Sequence, residues 1–327
     1  MKSAPAQGLS DQASGLPRPT ADAATPGPTT GRNVMSTHHR TITVGDAEIS
    51  YREAGDPDKP DFLLLHGFPA SSFMFRHLIE LLADRFHLIA PDYPGFGHSA
   101  APDRAGFDYT FDHLAEIMDR FTAAIGLTHY GLYLQDFGGP IGFRLATAHP
   151  ERVRFLVLQN ANAYAEGLPD SFWSPLRTLW QDPTDDNRAV IRAAGMSDAA
   201  LEWNYTHGVA DPTAVDPDNW LLQHALLARP GAQDNMLDLL YDYRTNPEHY
   251  PQWQAYLREH RPPTLITWGR NDAIFPESGA HPYLRDLPDA ELHLLDTGHF
   301  ALEDHAQVIA GHIARFTVGI PVPSGSR

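Results

Sequence analysis

The chain has 327 residues, with 24 Lys and Arg against 41 Asp and Glu, and a formal net charge of −17. An acidic chain without a Lys/Arg block is a poor candidate for binding nucleic acid or an anionic membrane surface. The absence of cysteine excludes disulfides, a thiolate nucleophile and Cys-ligated metal centres. No apolar run approaches the roughly 18 residues of a membrane helix. We therefore expect a soluble, cytoplasmic protein, either a monomer or a homodimer.

The two ends of the chain have compositions that do not predict a packed fold. Residues 1–35 are rich in Pro, Ala, Ser, Thr and Gly, and such a segment buries too little apolar surface to offset its ordering entropy. We expect a disordered extension there, with Met35, just before the first predicted strand, as a candidate for the true start. Residues 319–327 are expected to form a flexible tail.

Between these ends, short apolar runs alternate with helical patterns. The predicted helices are one that begins at Ser71 or Ser72 and those over 111–125, 140–149 and 306–316. The predicted strands are 41–44, 48–52, 62–65, 87–90, 130–134, 153–158, 264–268 and 291–295. This alternation predicts an α/β fold with a mostly parallel sheet covered on both faces. We assign the core of that fold to residues 36–162 and 260–318.

Residues 163–259, inserted after the sixth predicted strand, interrupt this alternation. They are mostly helical by pattern and contain five of the 6 Trp of the chain. One interpretation is an insertion with its own small core, and another is a cap whose underside lines an apolar pocket. The insertion follows a strand of the sheet and so lies near the carboxyl ends of the strands, where open α/β sheets bind ligands. Both interpretations can hold together.

The sequence Tyr-Leu-Gln-Asp-Phe-Gly-Gly at 133–139 joins a predicted strand to a predicted helix. It has the form of a nucleophile elbow, a sharp turn that raises one side chain above the sheet. The side chain at the nucleophile position is Asp136. Alternatively, Asp136 only caps the following helix.

Three further features favour the catalytic interpretation. The sequence His-Gly-Phe-Pro at 66–69 follows a buried strand, so the backbone N–H groups of Phe68 and Phe137 are candidates for an oxyanion hole. Asp272 follows the strand 264–268, and His299 follows the strand 291–295. Nucleophile, acid and histidine occur in the order expected for this fold. No helical His pair predicts a metal site.

The chain resembles the epoxide hydrolase and haloalkane dehalogenase branch of the α/β-hydrolases over residues 41–316. The matching motifs are His66-Gly67-Phe68-Pro69, Asp-Tyr-Pro-Gly-Phe-Gly-His-Ser at 92–99, Gln-Asp-Phe-Gly-Gly at 135–139, Asp272 and Gly298-His299. The resemblance implies an α/β-hydrolase fold with a helical cap after the sixth strand, and no cofactor or metal. Asp136 distinguishes the chain from serine esterases of the same fold.

A carboxylate nucleophile points to attack on a saturated carbon, which gives an alkyl ester of the enzyme. His299, oriented by Asp272, would then activate the water that hydrolyses this ester, with Phe68 and Phe137 binding the oxyanion. Asp136 has to be ionised for the first step. We expect the N–H donors and the helix N-terminus to keep its pKa low.

An epoxide leaving group requires a proton donor. Epoxide hydrolases of this branch use cap tyrosines, one of them roughly thirty residues before the acid, which corresponds here to Tyr241, with Tyr243 close behind. The region 180–186, where the other cap tyrosine is expected, has no Tyr. Tyr164 and Tyr205 are the substitutes.

A halide leaving group requires N–H donors instead. Dehalogenases of the branch place Trp beside the nucleophile and often Asn after His-Gly, where this chain has Phe137 and Phe68, whose side chains donate no hydrogen bond. Trp173 or Trp180 of the cap could supply a donor. Fluoroacetate dehalogenases carry Arg beside the nucleophile, so Phe137 argues against that substrate.

The sequence therefore predicts a hydrolase that opens a small to medium apolar epoxide, with water as co-substrate. The alternative enzyme is a haloalkane dehalogenase that uses the same ester. A hypothesis from another class is a non-catalytic α/β-hydrolase homologue that binds a small apolar ligand, but it gives no role to Asp136, Asp272 and His299 as a set. A divergent esterase would need another nucleophile.

Overall fold

A computed structural model of the chain describes residues 36–320. The expected N-terminal extension and most of the expected C-terminal tail lie outside these residues. The described part contains all eight predicted strands, several of them slightly longer than predicted. They are β1 (His38–Val44), β2 (Ala47–Ala54), β3 (Asp61–Leu65), β4 (His87–Pro91), β5 (Tyr130–Gln135), β6 (Val153–Gln159), β7 (Thr264–Gly269) and β8 (Glu291–Leu295).

The strands form one mixed sheet in the order β1-β2-β4-β3-β5-β6-β7-β8. β1 and β2 form the predicted antiparallel hairpin, and β2 pairs antiparallel with β4. All further pairs, from β4 through β3 to β8, are parallel. The parallel strands place their carboxyl ends at one edge, so residues that directly follow β3, β5, β6, β7 and β8 meet there.

Alternate residues of β3 show how the sheet is covered on both faces. Leu63 and Leu65 pack into one buried apolar cluster, and Phe62 and Leu64 pack into a second cluster. A strand with apolar neighbours on both sides reads as a continuous apolar run, which is why its sequence predicted a buried strand. The predicted fold class, an α/β-hydrolase fold with a doubly covered and mostly parallel sheet, is confirmed.

The helices fall into two sets along the chain. The first set alternates with the strands: α1 (Arg76–Leu82), α2 (Phe111–Ala124) and α3 (Gly138–Ala148) before β6, and α10 (Tyr283–Asp286) and α11 (Ala306–Phe316) after β7. The second set fills the insertion between β6 and β7: α4 (Asp170–Gln181), α5 (Asp185–Met196), α6 (Asp198–Thr206), α7 (Asp218–Leu227), α8 (Ala232–Asp242) and α9 (Asn246–His260).

The insertion is helical, as its sequence pattern indicated, while its status as a separate cap domain stays a prediction. Within residues 36–320, no helix combines the length and the apolar character needed to cross a membrane. The helix predicted after Ser71 begins with a short 3₁₀ turn, Ser72–Phe75, and the Ser71 side chain accepts a hydrogen bond from the Phe73 N–H.

Candidate active site

The turn between β5 and α3 determines where the site lies. Asp136, directly after β5, has a φ of 49°, in the left-handed region. A residue other than glycine keeps this conformation only where its surroundings hold it there. A Cβ added to Gly138 would lie 2.1 Å from the carbonyl oxygen of Leu65, so glycine is needed for α3 to begin this close to β3. The turn therefore has the strand-to-helix form of a nucleophile elbow, with Asp136 as its raised side chain.

Two backbone N–H groups bind the Asp136 carboxylate. The Phe68 N–H donates to Asp136 Oδ1 at 2.6 Å, and the Phe137 N–H also lowers the pKa of this carboxylate. A Cβ at Gly67 would lie 2.2 Å from the Asp136 Cβ, so the loop after β3 depends on glycine to come this close. The two N–H groups predicted to form an oxyanion hole therefore both lie at the Asp136 carboxylate, as an oxyanion hole requires.

His299 lies between two carboxylates. Its Nδ1 is 2.7 Å from Asp272 Oδ2, and its Nε2 is 3.7 Å from Asp136 Oδ2. The hydrogen bond to Asp272 places the Nδ1 proton on that side, so Nε2 faces Asp136. All three side chains are buried. The structure therefore brings together the nucleophile, acid and histidine that the sequence singled out.

Asn160, which the sequence analysis missed, holds the acid in place. It directly follows β6 and has a φ of 44°. Its Nδ2 donates to Asp272 Oδ2 at 2.8 Å, and its Oδ1 accepts a hydrogen bond from the Gly269 N–H at 2.9 Å. Asp272 Oδ1 accepts a hydrogen bond from the Ile274 N–H at 2.7 Å. The signal in the sequence is an Asn directly after a buried strand, since Asn tolerates left-handed backbone better than most residues.

Two glutamines hold the histidine. Gln135 Nε2 lies 2.9 Å from His299 Nε2, and Gln159 Nε2 donates to the His299 carbonyl oxygen at 3.0 Å. The Tyr133 hydroxyl donates to Gln159 Oε1 at 2.5 Å. The imidazole ring and the backbone of His299 are therefore both fixed by buried side chains from β5 and β6.

Burial and charge act in opposite directions on this site. Burial raises the pKa of Asp136, and the charge of His299 and the N–H groups of Phe68 and Phe137 lower it without full compensation. The expectation of a low Asp136 pKa was wrong, because the loss of water outweighs the donors. Burial lowers the pKa of His299, but Asp272 and Asp136 raise it more, so its pKa is raised overall. Each ionised group of the Asp136–His299 pair thus stabilises the other.

A cavity of about 120 Å³ opens beside Asp136. An engineered apolar cavity of roughly 150 Å³ holds benzene, so this one has the size for a small apolar molecule. Among the described residues that line it, Asp136 is the one ionisable group. The inserted helices supply most of the lining, which consists of Phe68, Asp136, Phe137, Phe172, Trp173, Pro175, Leu176, Ile191, Ala194, Gly195, Trp203, Asn204, Leu240 and Ile274.

The two tryptophans predicted to bind substrate have different positions. Trp173 lines the cavity, whereas Trp180 is not among its lining residues. The indole N–H of Trp173 donates to the Ile274 carbonyl at 2.9 Å, and that of Trp180 donates to the Leu240 carbonyl at 2.9 Å. Both indole N–H groups are engaged with the backbone, so the structure does not provide the halide donor that the sequence analysis considered for these residues.

None of the four predicted cap tyrosines, Tyr164, Tyr205, Tyr241 and Tyr243, is among the residues that line the cavity. The Tyr164 hydroxyl donates to Asp286 Oδ2 at 2.6 Å, and the Tyr205 ring stacks on Phe300 at 4.1 Å between centroids. The Tyr241 ring, expected to donate a proton to substrate, is covered by the Arg244 guanidinium at 3.8 Å.

Tyr243 packs against two residues of the cavity wall. Its ring is fully buried, with its centroid 4.8 Å from that of Trp173 and 6.0 Å from that of Phe137. Burial raises the pKa of Tyr243 well above its usual value, and the charges of Tyr250 and Asp136 raise it further. The hydroxyl is therefore protonated at neutral pH and lies within electrostatic range of Asp136.

A mostly parallel sheet with Asp136, Asp272 and His299 at the carboxyl edge of its strands is the arrangement of an α/β-hydrolase. The chain belongs to the α/β hydrolase fold family, whose model matches residues 60–306, in the branch of haloalkane dehalogenases and epoxide hydrolases.

Named relatives support this assignment. An uncharacterised hydrolase of Saccharomyces cerevisiae is 41% identical over 283 residues, 86% of this chain and 97% of the relative. A haloalkane dehalogenase of Bradyrhizobium diazoefficiens is 38% identical over 298 residues, 86% of this chain and 94% of the relative. The crystal structure of the haloalkane dehalogenase DbeA from Bradyrhizobium elkani is similar with a TM-score of 0.73 and 25% identity, covering 88% of this chain and 98% of that one.

Proposed function

We propose that this hydrolase opens small to medium apolar epoxides to diols through a covalent ester on Asp136. One observation carries the proposal. The Phe68 N–H fixes Asp136 Oδ1, and Asp136 Oδ2 lies on the side of His299 at the wall of an apolar cavity. A carboxylate held in this way has one oxygen bound to an N–H donor and a second oxygen free to attack a saturated carbon.

In the first step, Asp136 Oδ2 forms a bond to an epoxide carbon, and the C–O bond of the ring breaks. The electron pair of that bond moves to the ring oxygen, which takes a proton from a tyrosine hydroxyl. We assign this donor to Tyr243 instead of Tyr241, because the buried Tyr243 ring packs against Phe137 and Trp173 of the cavity wall, whereas the Tyr241 ring is covered by the Arg244 guanidinium. The product of the step is an alkyl ester that carries a hydroxyl group.

In the second step, His299 Nε2 takes a proton from water, and the water oxygen bonds to the carbonyl carbon of the Asp136 ester. The negative charge on the former carbonyl oxygen is stabilised by the N–H groups of Phe68 and Phe137. The ester C–O bond then breaks, and the diol leaves with the proton from His299. Asp136 returns its acid proton to the tyrosine, so the sum of both steps is epoxide plus water to diol.

Dehalogenation by the same ester is the second candidate. The 38% identical relative named haloalkane dehalogenase favours it. The side chains of Phe68 and Phe137 have no N–H for a halide, and the indole N–H groups of Trp173 and Trp180 are bound to carbonyl oxygens. The geometry therefore favours an epoxide oxygen over a halide as the leaving group.

A single turnover with excess enzyme in ¹⁸O-water tests the ester. The first diol should contain no ¹⁸O, because its new oxygen comes from Asp136, and the label should appear in the Asp136 carboxylate. Label in the first diol would mean direct attack by water and would exclude the ester. A matched assay of styrene oxide and 1-bromobutane, with diol and bromide as readouts, tests the leaving group. Bromide release without diol formation would replace the epoxide with the halide.

A further inference from the structure

Asn204 is a polar side chain in the cavity that the proposed chemistry does not use. It lies on α6 and is 7% exposed, so more than nine-tenths of it is buried. It lines the same cavity as Asp136. None of the hydrogen bonds among the described residues involves its side-chain amide. A buried polar group normally has a partner, so an amide left open toward a ligand cavity indicates a partner supplied by the ligand.

The chemistry of the cavity defines that partner. A carboxamide donates two hydrogen bonds and accepts two, and it carries no charge. The rest of the described lining, apart from Asp136, is apolar or aromatic, and no cation lies among these residues. An anionic substituent would meet the Asp136 carboxylate without a compensating positive charge, so the matching group is neutral.

We propose that Asn204 binds a neutral carbonyl or hydroxyl group on the substrate, away from the carbon that Asp136 attacks. The preferred substrates are then epoxides with an apolar body and one such group. The inference deepens the proposed function and rests on it, because it takes this cavity as the substrate site. A site built around a hydrogen bond discriminates strongly against analogues that lack the group, because its own polar atoms then stay unpaired.

Binding of two matched ligands that cannot react tests the proposal independently of turnover. Phenylacetamide carries a neutral amide, and isobutylbenzene has the same shape without polar atoms. Titration calorimetry should show that Asn204→Leu weakens phenylacetamide binding by about tenfold or more and leaves isobutylbenzene binding unchanged or stronger. Ile191→Leu, a change in the apolar lining, is the control and should affect the two ligands alike. Asn204→Ala repeats the test if the leucine variant does not fold.

The outcomes separate this inference from the proposed function. Equal effects of Asn204→Leu on both ligands overturn the role of Asn204, whether or not the wild-type protein opens styrene oxide. Selective loss of phenylacetamide binding supports the role even if no epoxide is turned over, in which case the proposed function fails alone. Loss of bromide release from 1-bromobutane with unchanged phenylacetamide binding would make Asn204 a leaving-group donor and overturn the proposal.

Discussion

His299 Nε2 lies 3.7 Å from Asp136 Oδ2, close enough for the two charges to attract and too far for a hydrogen bond. The negative charge of Asp136 is one of the causes of the raised His299 pKa. An ester on Asp136 has no such charge. Alkylation of Asp136 therefore lowers the pKa of His299 at the moment when a neutral imidazole is needed to deprotonate water.

A comparison of two titrations tests this coupling. We expect a lower His299 pKa in the alkyl-enzyme, seen as the acid limb of ester breakdown, than in the free enzyme, seen by NMR of ¹³C-labelled histidine. His299 keeps the charge and hydrogen bond of Asp272 in both states, so the difference reports Asp136 alone. Equal values in the two states would show that the Asp136 charge does not influence the base.

Replacement of His299 by glutamine should stop the reaction at the ester. Asp136 and its Phe68 donor are untouched by the change, so ester formation proceeds, whereas the water loses its base. Mass spectrometry of the peptide that contains Asp136 should show the mass of the epoxide added in stoichiometric amount. His305→Gln is a matched control on a half-buried histidine and should turn over normally. A His299→Gln peptide of unchanged mass would remove His299 from the hydrolytic step.

The two neighbouring tyrosines provide a matched pair for the proton donor. We expect Tyr243→Phe to lower the rate of ester formation from styrene oxide on the order of 10²-fold, as loss of a general acid does. Tyr241→Phe should change this rate little, because its ring is covered by the Arg244 guanidinium. Stopped-flow measurement of the single-turnover rate distinguishes them. A larger loss in Tyr241→Phe than in Tyr243→Phe would reverse the assignment.

Substitution of Asp272 or Asn160 should slow ester breakdown more than ester formation. Asp272 orients His299 directly, and Asn160 holds Asp272 in place. Asp272→Asn should lower the breakdown rate on the order of 10²–10⁴-fold, since the imidazole loses the partner that fixes its tautomer. Asn160→Gly keeps the left-handed backbone and removes the amide contacts with Asp272 and Gly269 while leaving Asp272 itself in place, so we expect a smaller loss in the same step. Quench-flow analysis separates the steps. A loss confined to ester formation would contradict the assigned role.

Asp136→Asn should stabilise the protein at neutral pH. The pKa of Asp136 is raised in the folded state, so the folded protein holds this proton more tightly than the unfolded chain. The associated stability is complete below about pH 4 and is lost as the pH rises through the folded pKa. Above that pH the buried charge destabilises the wild type, and asparagine has no charge.

Melting temperatures between pH 4 and pH 8 measure this effect. We expect Asp136→Asn to melt a few degrees higher than wild type at pH 8, with a difference that shrinks toward pH 4. Asp46→Asn, at an exposed turn, should follow the wild type throughout. A wild type that is more stable than Asp136→Asn at every pH would mean that the His299 charge fully compensates for the burial of Asp136.

The sequence was sufficient to predict the sheet and to single out three residues that meet at its edge. Strands buried on both faces are continuous apolar runs, as in β3, and their order along the chain brings Asp136, Asp272 and His299 to the same edge. The partner of Asp272 was not predictable in this way. The contact between Asn160 and Asp272 depends on the pairing of β6 with β7, in which Leu158 lies opposite Ile266. No local sequence pattern predicts that pairing.

The positions and hydrogen-bond partners of side chains in the inserted helices could not be predicted from the sequence either. Tyr241 lies in the last turn of α8 and Tyr243 directly follows that helix in a short 3₁₀ turn, and spacing along the chain cannot choose between two tyrosines this close in sequence. The indole N–H groups of Trp173 and Trp180 bind carbonyl oxygens of distant residues, which tertiary packing alone determines.

The left-handed backbone at Asp136 has a consequence for how such enzymes diverge. The position of the side chain at 136 comes from the left-handed main chain and from the close approach that the glycines at 67 and 138 allow, and the imidazole beside it is fixed by Asp272. Replacement of Asp136 by serine would place a hydroxyl beside the same imidazole and the same pair of amide groups. Within this architecture, the side chain at position 136 alone would then decide whether the enzyme attacks a saturated carbon or an acyl carbon.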